Sequence, residues 1–446
     1  MDWTGSSAEE RREMLAAIGV DSVEELISGI PRQVEALPGL PGGLDEASLL
    51  RHVSALAGRN RPAGPGKCFI GAGAYEHATP AVVEALVSRG EFSTTYTPYQ
   101  PEVSQGTLIA AFEFQTLIAR LTGLDAANSS MYDGASATAE AALLAMRQTG
   151  RKEVAVSGAV HPEWTAVIRT YLSGVGAHIR TVPDEGGRTP LRGIEAVVDG
   201  DVACVVVQQP SFFGQLEDLR AAAKAAHAAG ALFVAACNPL ALGILASPGA
   251  CGADIAVGDV QPLGIPLNFG GPYAGYMAVR EGLVRQMPGR LVGMARDSRG
   301  RRGFTLTLQT REQHIRRERA TSNICTNQAL VALAATVYLC LLGKQGLRDV
   351  ARQNAVRARR AAERLLEIPG VSLAFDGPFF NEFVLRLPRD AAEVCRRVAE
   401  RTGIWPGLDL GRFRQDLADC LMVCVTETKT AEDVEALKTA LEDALR

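Results

Sequence analysis

Lysine is the scarce residue of this 446-residue chain: of 46 basic residues only six are lysines, at positions 67, 152, 224, 344, 429 and 438, and none lies between Lys224 and Lys344. Chemistry that needs an amine nucleophile therefore has few candidates, because arginine stays protonated and does not form an imine. Cysteine follows no metal or disulfide pattern. The nine cysteines are odd in number and include no C-x-x-C pair, which argues against a zinc ribbon or a disulfide framework and fits reduced thiols. Cys420 and Cys424, in a valine-containing apolar run, are expected to be core thiols. No apolar run reaches membrane-spanning length. The opening residues, MDWTGSSAEERREMLAAIGV, carry charges where a signal peptide needs an apolar core, so the expected compartment is the cytoplasm. A formal net charge of −4 gives no general attraction to phosphate backbones. His77 and His161 stand beside Glu76 and Glu163 without metal-ligand spacing; structural roles and no metal site are expected. Gly71 and Gly73 are followed by Glu76 where a dinucleotide fingerprint has its third glycine, and there is no G-x-S-x-G elbow, which argues against a nicotinamide site and a hydrolase nucleophile.

What is present is a core-forming composition, 47% hydrophobic and 22% charged, enough for two or three domains. Residues 1–65 read as a helical arm: Ser7 to Glu10 has the S-x-x-E capping pattern, Asp21 or Ser22 starts another turn, and Pro31, Pro38 and Pro41 interrupt the chain before a connector at Arg59 to Lys67. From residue 66 to 325 strands and helices alternate. Thr79 caps and Pro80 opens a helix at Val82 to Val87, and further helices cover Leu108 to Leu121, Ala135 to Met146, Trp164 to Leu172 and Leu219 to Ala229. Short apolar strands fall at Val154 to Val156, Val202 to Val207, Leu232 to Ala235 and Ile255 to Val257. Such alternation predicts a mostly parallel sheet with helices on both faces. Residues 326–446 read as a smaller α+β domain, with helices at Ala329 to Leu342, Asp349 to Leu366, Ala391 to Arg401 and Ala431 to Leu445, and strands near Val371 to Phe375, Glu382 to Leu387 and Leu421 to Thr426.

One stretch fits neither periodicity. EFSTTYTPYQPEVSQG, Glu91 to Gly106, spends two prolines, two tyrosines, two glutamines and its acidic residues where neither helix nor strand is encouraged. Pro98 and Pro101 fix φ and push the preceding residues towards extended conformations, so Tyr96 to Glu102 is expected to be a stiff loop. It is either a surface loop stapled by prolines or a loop that carries a site. Asp133-Gly134-Ala135-Ser136 is open in the same way: an anion cradle at a helix start, or an ordinary capped helix. Arg296 to Arg319 is rich in arginine with Asp297, Glu312 and Glu318 interleaved, which favours a solvated or interface stretch.

The wording of several blocks resembles a known family. TYTPYQPEVSQG, FEFQTLIARLTGL at Phe112, NSSMYDGASATAEAALLAMR at Asn128, HPEW at His161, GALFVAACNPLALGIL at Gly230, PGACGADIAVGDVQPLGIPLNFGGPYAGYMAVR at Pro248, RRGFTLTLQTREQHIRRERATSNICTNQAL at Arg301 and FFNEFVLRLP at Phe379 are similar to the P-protein of the glycine cleavage system, and more closely to the alpha subunit of its two-subunit bacterial form, glycine dehydrogenase (decarboxylating) subunit 1. The resemblance covers nearly the whole chain. It implies an α/β fold of the type I pyridoxal-phosphate-dependent transferase-like (aspartate aminotransferase-like) class, with a large domain and a smaller C-terminal α+β domain.

In that fold the aldimine lysine follows the strand after the cofactor's acid, here Gly258 to Gly264, where the sequence has Val260, Gln261 and Pro262. Asn238, after the strand at Leu232 to Ala236, stands where the acid opposite the pyridine nitrogen is expected. The resemblance therefore implies a degenerate subunit with no Schiff-base lysine, pyridoxal phosphate carried by a partner beta subunit, and an assembly of two alpha and two beta chains. The reaction implied is decarboxylation of glycine, with the aminomethyl group passed to the lipoyl arm of the H-protein. This chain would lend the partner's site Tyr96, Tyr99, Gln100 and Glu102; Ser136 and Asn323 are further candidates near the cofactor cleft. The alternatives are a non-catalytic scaffold or docking subunit and, against the lysine count, an independent pyridoxal phosphate enzyme.

Overall fold

The computed structural model describes residues 5–30, 42–324 and 326–446; the proline breaks at 31, 38 and 41 and Cys325 lie outside them. The chain divides into two compact units, Met1–Pro62 and Ala63–Arg446. The first contains helices α1 (Ala8–Ile18), α2 (Val23–Leu26) and α3 (Glu46–Ala57). Ser7 and Glu10 form the expected capping box on α1, and Ser22, rather than Asp21, caps α2.

The second unit begins with α4 (Ala81–Val87), α5 (Gly90–Ser93) and α6 (Gln105–Thr122). It continues through β1 (Ala126–Ala127), α7 (Gly134–Thr149), β2 (Glu153–Ser157), α8 (Pro162–Ser173), β3 (His178–Val182), α9 (Leu191–Val197), β4 (Val202–Gln209), α10 (Leu219–Ala228), β5 (Leu232–Cys237), β6 (Ile255–Asp259) and β7 (Gly275–Val279). These strands form one seven-stranded sheet in the order β1-β7-β6-β5-β4-β2-β3. Strands β2 to β6 pair in parallel, and β7 runs antiparallel to β6. The central strands are apolar runs such as VACVVV in β4, buried along almost their whole length, because helices cover both faces. Full burial of each such side chain contributes about 1.5–3 kcal/mol.

A hairpin, β8 (Leu291–Arg296) and β9 (Arg302–Thr307), precedes α11 (Gln313–Arg316). Its interleaved arginines hid the strand alternation in the sequence. Arginines 296, 299, 301, 302, 316, 317 and 319 are exposed, as the solvated reading expected, whereas Arg311 is buried.

Then come α12 (Ala329–Leu365), β10 (Ser372–Leu373), β11 (Glu382–Arg386), α13 (Ala391–Thr402), β12 (Leu408–Asp409), β13 (Cys420–Cys424) and α14 (Ala431–Leu445). The last four strands make a second sheet, β10-β11-β13-β12. The two helices expected between 329 and 366 are continuous except at Gly343, whose φ of 57° and ψ of −170° break the helical path. An 18-residue window of α12 is apolar enough to cross a membrane, contrary to the sequence reading. Ala332, Ala335 and Tyr338 show why: they are buried in the core beside Phe114 and Tyr276. At α4, Pro80 rather than Thr79 holds the cap position and no side chain caps the helix. Cys420 and Cys424 are core thiols, and burial pushes the Cys420 thiol up to about 12.

The segment after residue 66 crosses to the second sheet. Phe69 packs in the cluster of Phe383, Leu421 and Leu437, and its carbonyl accepts from Cys424 N. His77 Nδ1 lies 2.9 Å from Glu427 Oε2, Ala78 N donates to Oε1 at 2.7 Å, and Asn354 of α12 donates to Oε2 at 2.8 Å. Burial pushes the Glu427 carboxyl up, but these hydrogen bonds and the histidine outweigh it and hold the group at about 2. A depressed folded value means the stabilisation is complete above pH about 4.5 and lost as pH falls towards 2. Glu427→Ala is expected to cost about 3 kcal/mol at pH 7 and far less near pH 2, measured by urea unfolding at both.

Candidate functional site

At the carboxyl ends of the parallel strands, the usual seat of ligands in open α/β sheets, little space is left. Tyr75, His161, Trp164, Asn238, Asp259 and Pro262 are among the residues around a cavity of about 30 Å³, the share of roughly one water molecule. Asp259, ending β6, accepts from Gly134 N at 3.1 Å and from Gln261 N at 2.8 Å. The carboxylate thus sits on the first turn of α7, where the aligned N–H groups favour an anion. Burial pushes it up to about 7. Gly134 has no room for a side chain, since a Cβ would meet the Trp164 ring.

Gln261 locks the following loop: it accepts from Tyr75 N and donates to the carbonyls of Tyr75 and Ile265. His161 Nε2 meets the Ala72 carbonyl at 3.0 Å and its Nδ1 accepts from Glu163 N, and burial lowers its pKa. Asn238 accepts from Leu240 N, while its amide nitrogen is buried without a hydrogen-bond partner.

These residues do not fit pyridoxal phosphate. No lysine borders the cavity, an amide stands where the resemblance expects an acid, and Asp259 takes the helix-start N–H. The volume is an order of magnitude below the roughly 300–1,000 Å³ of small-molecule sites. Ser136 is occupied by the α7 capping box: its N–H donates to Asp133 Oδ1 at 2.7 Å, and its hydroxyl accepts from Asp133 N at 3.2 Å.

Asn323 lies elsewhere, hydrogen-bonded to Tyr171 of α8. Nearby, Glu140 of α7 is buried with Oε2 unpartnered; burial pushes it up to about 7 against a hydrogen bond from Ser322. With the folded pKa raised, the folded chain binds the extra proton between pH about 4.5 and 7, so Glu140 costs stability as pH rises through that window. Glu140→Gln is expected to match the parent at pH 4.5 and exceed it by up to about 3 kcal/mol at pH 8, read from denaturant midpoints.

The Tyr96 to Glu102 loop is a separate place. Tyr96 is 79% and Tyr99 48% exposed, and Gln100 and Glu102 are exposed. The loop roofs a cavity of about 290 Å³ bordered by Tyr96, Ser129, Arg290 and Asn327. Tyr99 is flanked by the Arg290 guanidinium, 5.6 Å from its ring centre, and by the His314 ring at 5.5 Å. Four candidates therefore lie together on one displayed loop, while Ser136 lies in the first turn of α7 and Asn323 against α8. Sequence reasoning missed Asp259, Trp164 and Arg290. The signal for Asp259 in the sequence is an acidic residue two positions before Gln261, at the end of an apolar strand.

The large sheet, its helices and the second sheet define the fold of the pyridoxal-phosphate-dependent transferases. It is shared with a sphingosine-1-phosphate lyase of Burkholderia pseudomallei (TM-score 0.68, 15% identity, 93% of each chain) and an alanine–glyoxylate aminotransferase of Nostoc (TM-score 0.60, 17% identity, 86% and 96% of the chains). Within that class the chain belongs to the glycine cleavage system P-protein family, which it matches over residues 1–441. It is 50% identical to the probable glycine dehydrogenase (decarboxylating) subunit 1 of Moorella thermoacetica over the full length of both, and 52% identical to that of Geobacillus kaustophilus over 98% and 97% of the two chains. A crystal structure of glycine decarboxylase (P-protein) of the glycine cleavage system, in inhibitor-bound form, superposes with a TM-score of 0.91 at 51% identity over all of both chains.

Proposed function

We propose that this chain is the subunit of the glycine cleavage P-protein that does not anchor pyridoxal phosphate. The cofactor is carried by a partner beta subunit, two of each chain assemble in the cytoplasm, and the chain is inactive alone. The complex decarboxylates glycine and passes the aminomethyl group to the lipoyl arm of the H-protein. The observation that carries this reading is the small strand-end cavity, lined without lysine and with the Asp259 carboxylate on the helix start. The subunit 1 naming of its relatives supports a partner chain.

In this reading the chain's own contribution is the Tyr96 to Glu102 loop, which lends groups to the partner's site. The tyrosine hydroxyls bind a carboxylate or phosphate oxygen, Gln100 orients the substrate, and Glu102 holds a basic group or moves a proton. Reductive trapping of the cofactor in the assembled enzyme tests it: an adduct confined to the partner supports the assignment, and an adduct on one of this chain's six lysines overturns it.

A further inference from the structure

We propose that Arg290 is the positioning residue that sets the attitude of the Tyr99 ring, in a clamp completed by Glu312 and His314; the functional consequence rests on the loop reading above. Arg290 is 5% exposed. Its hydrogen bonding is thin for a buried charge: Nη1 reaches Asn327 Oδ1 at a long 3.4 Å, and Nε has no hydrogen-bond partner, with Glu312 Oε2 the nearest opposite charge at 3.9 Å. Glu312 is also buried, and the same oxygen lies 3.7 Å from His314 Nδ1. Tyr99 therefore lies between two basic groups that share one buried carboxylate. A desolvated guanidinium over a ring is among the stronger cation–π arrangements.

The platform under the ring is tied down by more hydrogen bonds than the loop. Arg290's carbonyl accepts from both the N–H and the hydroxyl of Ser129. The preceding turn is tied down by the Arg311 guanidinium, which donates to the carbonyls of Met287 and Gly289. In the loop itself, Tyr99 N–H bonds only to Thr97 O, two residues away. Gln105 ties its far end, donating to the carbonyls of Pro101 and Phe304. The ring contacts of Tyr99 with Arg290 and His314 thus tie the middle of the loop to the body of the protein, and Arg290 is the buried one of the two. Position 290 carries the cation that a stiff but exposed loop needs to present its tyrosines in one orientation.

The test places 3-fluorotyrosine at position 99 of the full chain, assembled with its partner subunit, and records its fluorine resonance and turnover for the parent, Arg290→Lys and Arg290→Met. The expected result is a shifted and narrowed resonance in Arg290→Met, partial retention of the parent signal in Arg290→Lys, and a loss of turnover on the order of 10²-fold in Arg290→Met that is not added to by Tyr99→Leu. Unfolding midpoints are measured alongside to exclude global loss of structure. A resonance unmoved by Arg290→Met overturns the proposal whatever happens to turnover. A moved resonance with unchanged turnover upholds the clamp and overturns the loop's role in catalysis.

Discussion

Tyr99→Leu in the assembled enzyme is expected to lower glycine-dependent turnover on the order of 10²-fold, with Glu102→Gln lower by at least about tenfold, while the complex still forms. Tyr96, Gln100 and Glu102 are exposed, and Tyr99 is held by the face of its ring, leaving its hydroxyl free to meet a group outside the chain. Removing such residues leaves no cavity, so stability is expected to change within about 0.5 kcal/mol for the exposed ones. Turnover, assembly and unfolding are thus separable readouts. Unchanged turnover with weakened assembly would transfer the loop to the scaffold reading.

Pyridoxal phosphate added to the isolated chain is expected to give no saturable visible band, and borohydride reduction followed by peptide mapping is expected to find no stoichiometric adduct. Added to the assembled enzyme, the same treatment is expected to mark one lysine of the partner. The reason is steric as well as chemical. Val260, Gln261 and Pro262 offer no amine, and the space of about 30 Å³ is far below that of small-molecule sites. Asp259 already accepts the α7 N–H, so a phosphate would have to displace a buried carboxyl and push aside Trp164. The six lysines lie elsewhere: Lys429, for example, is buried against Phe69 and paired with Glu76. A single specific adduct on any of them would make an independent enzyme the leading account.

The periodic elements were legible because their signals are local. Val202 to Val207, Leu232 to Ala235 and Ile255 to Val257 read as buried strands, and the 3.6-residue patterns found the long helices after residue 100 to within a few residues, whereas α3 was not placed. What local signals missed were pieces whose partners are distant in sequence. The two-residue β1 pairs with β7, about 150 residues on, and the β8–β9 hairpin reads as an arginine-rich stretch because its solvent face carries the charges. Gly343 breaks α12 where the sequence suggested a gap between two helices, a case of local and global preference agreeing.

The sequence by itself determined that the loop Gly258 to Gly264 has no amine of its own, since no lysine lies between 224 and 344 and a covalent function requires the atom to exist. It also marked Tyr96 to Glu102 as neither helix nor strand, since proline restricts φ and removes a donor wherever it stands. Only the tertiary structure decided how little space the strand ends leave, and which group sits on the helix start. Asp259 and Gly134 are 125 positions apart, and nothing in either residue's neighbourhood announces a hydrogen bond between them. The grip of Arg290 on Tyr99, across 191 positions, is of the same kind. Chemistry excluded by composition is readable along the chain, whereas chemistry made by proximity exists only once folding has brought charge, ring and helix end within a few ångströms of one another.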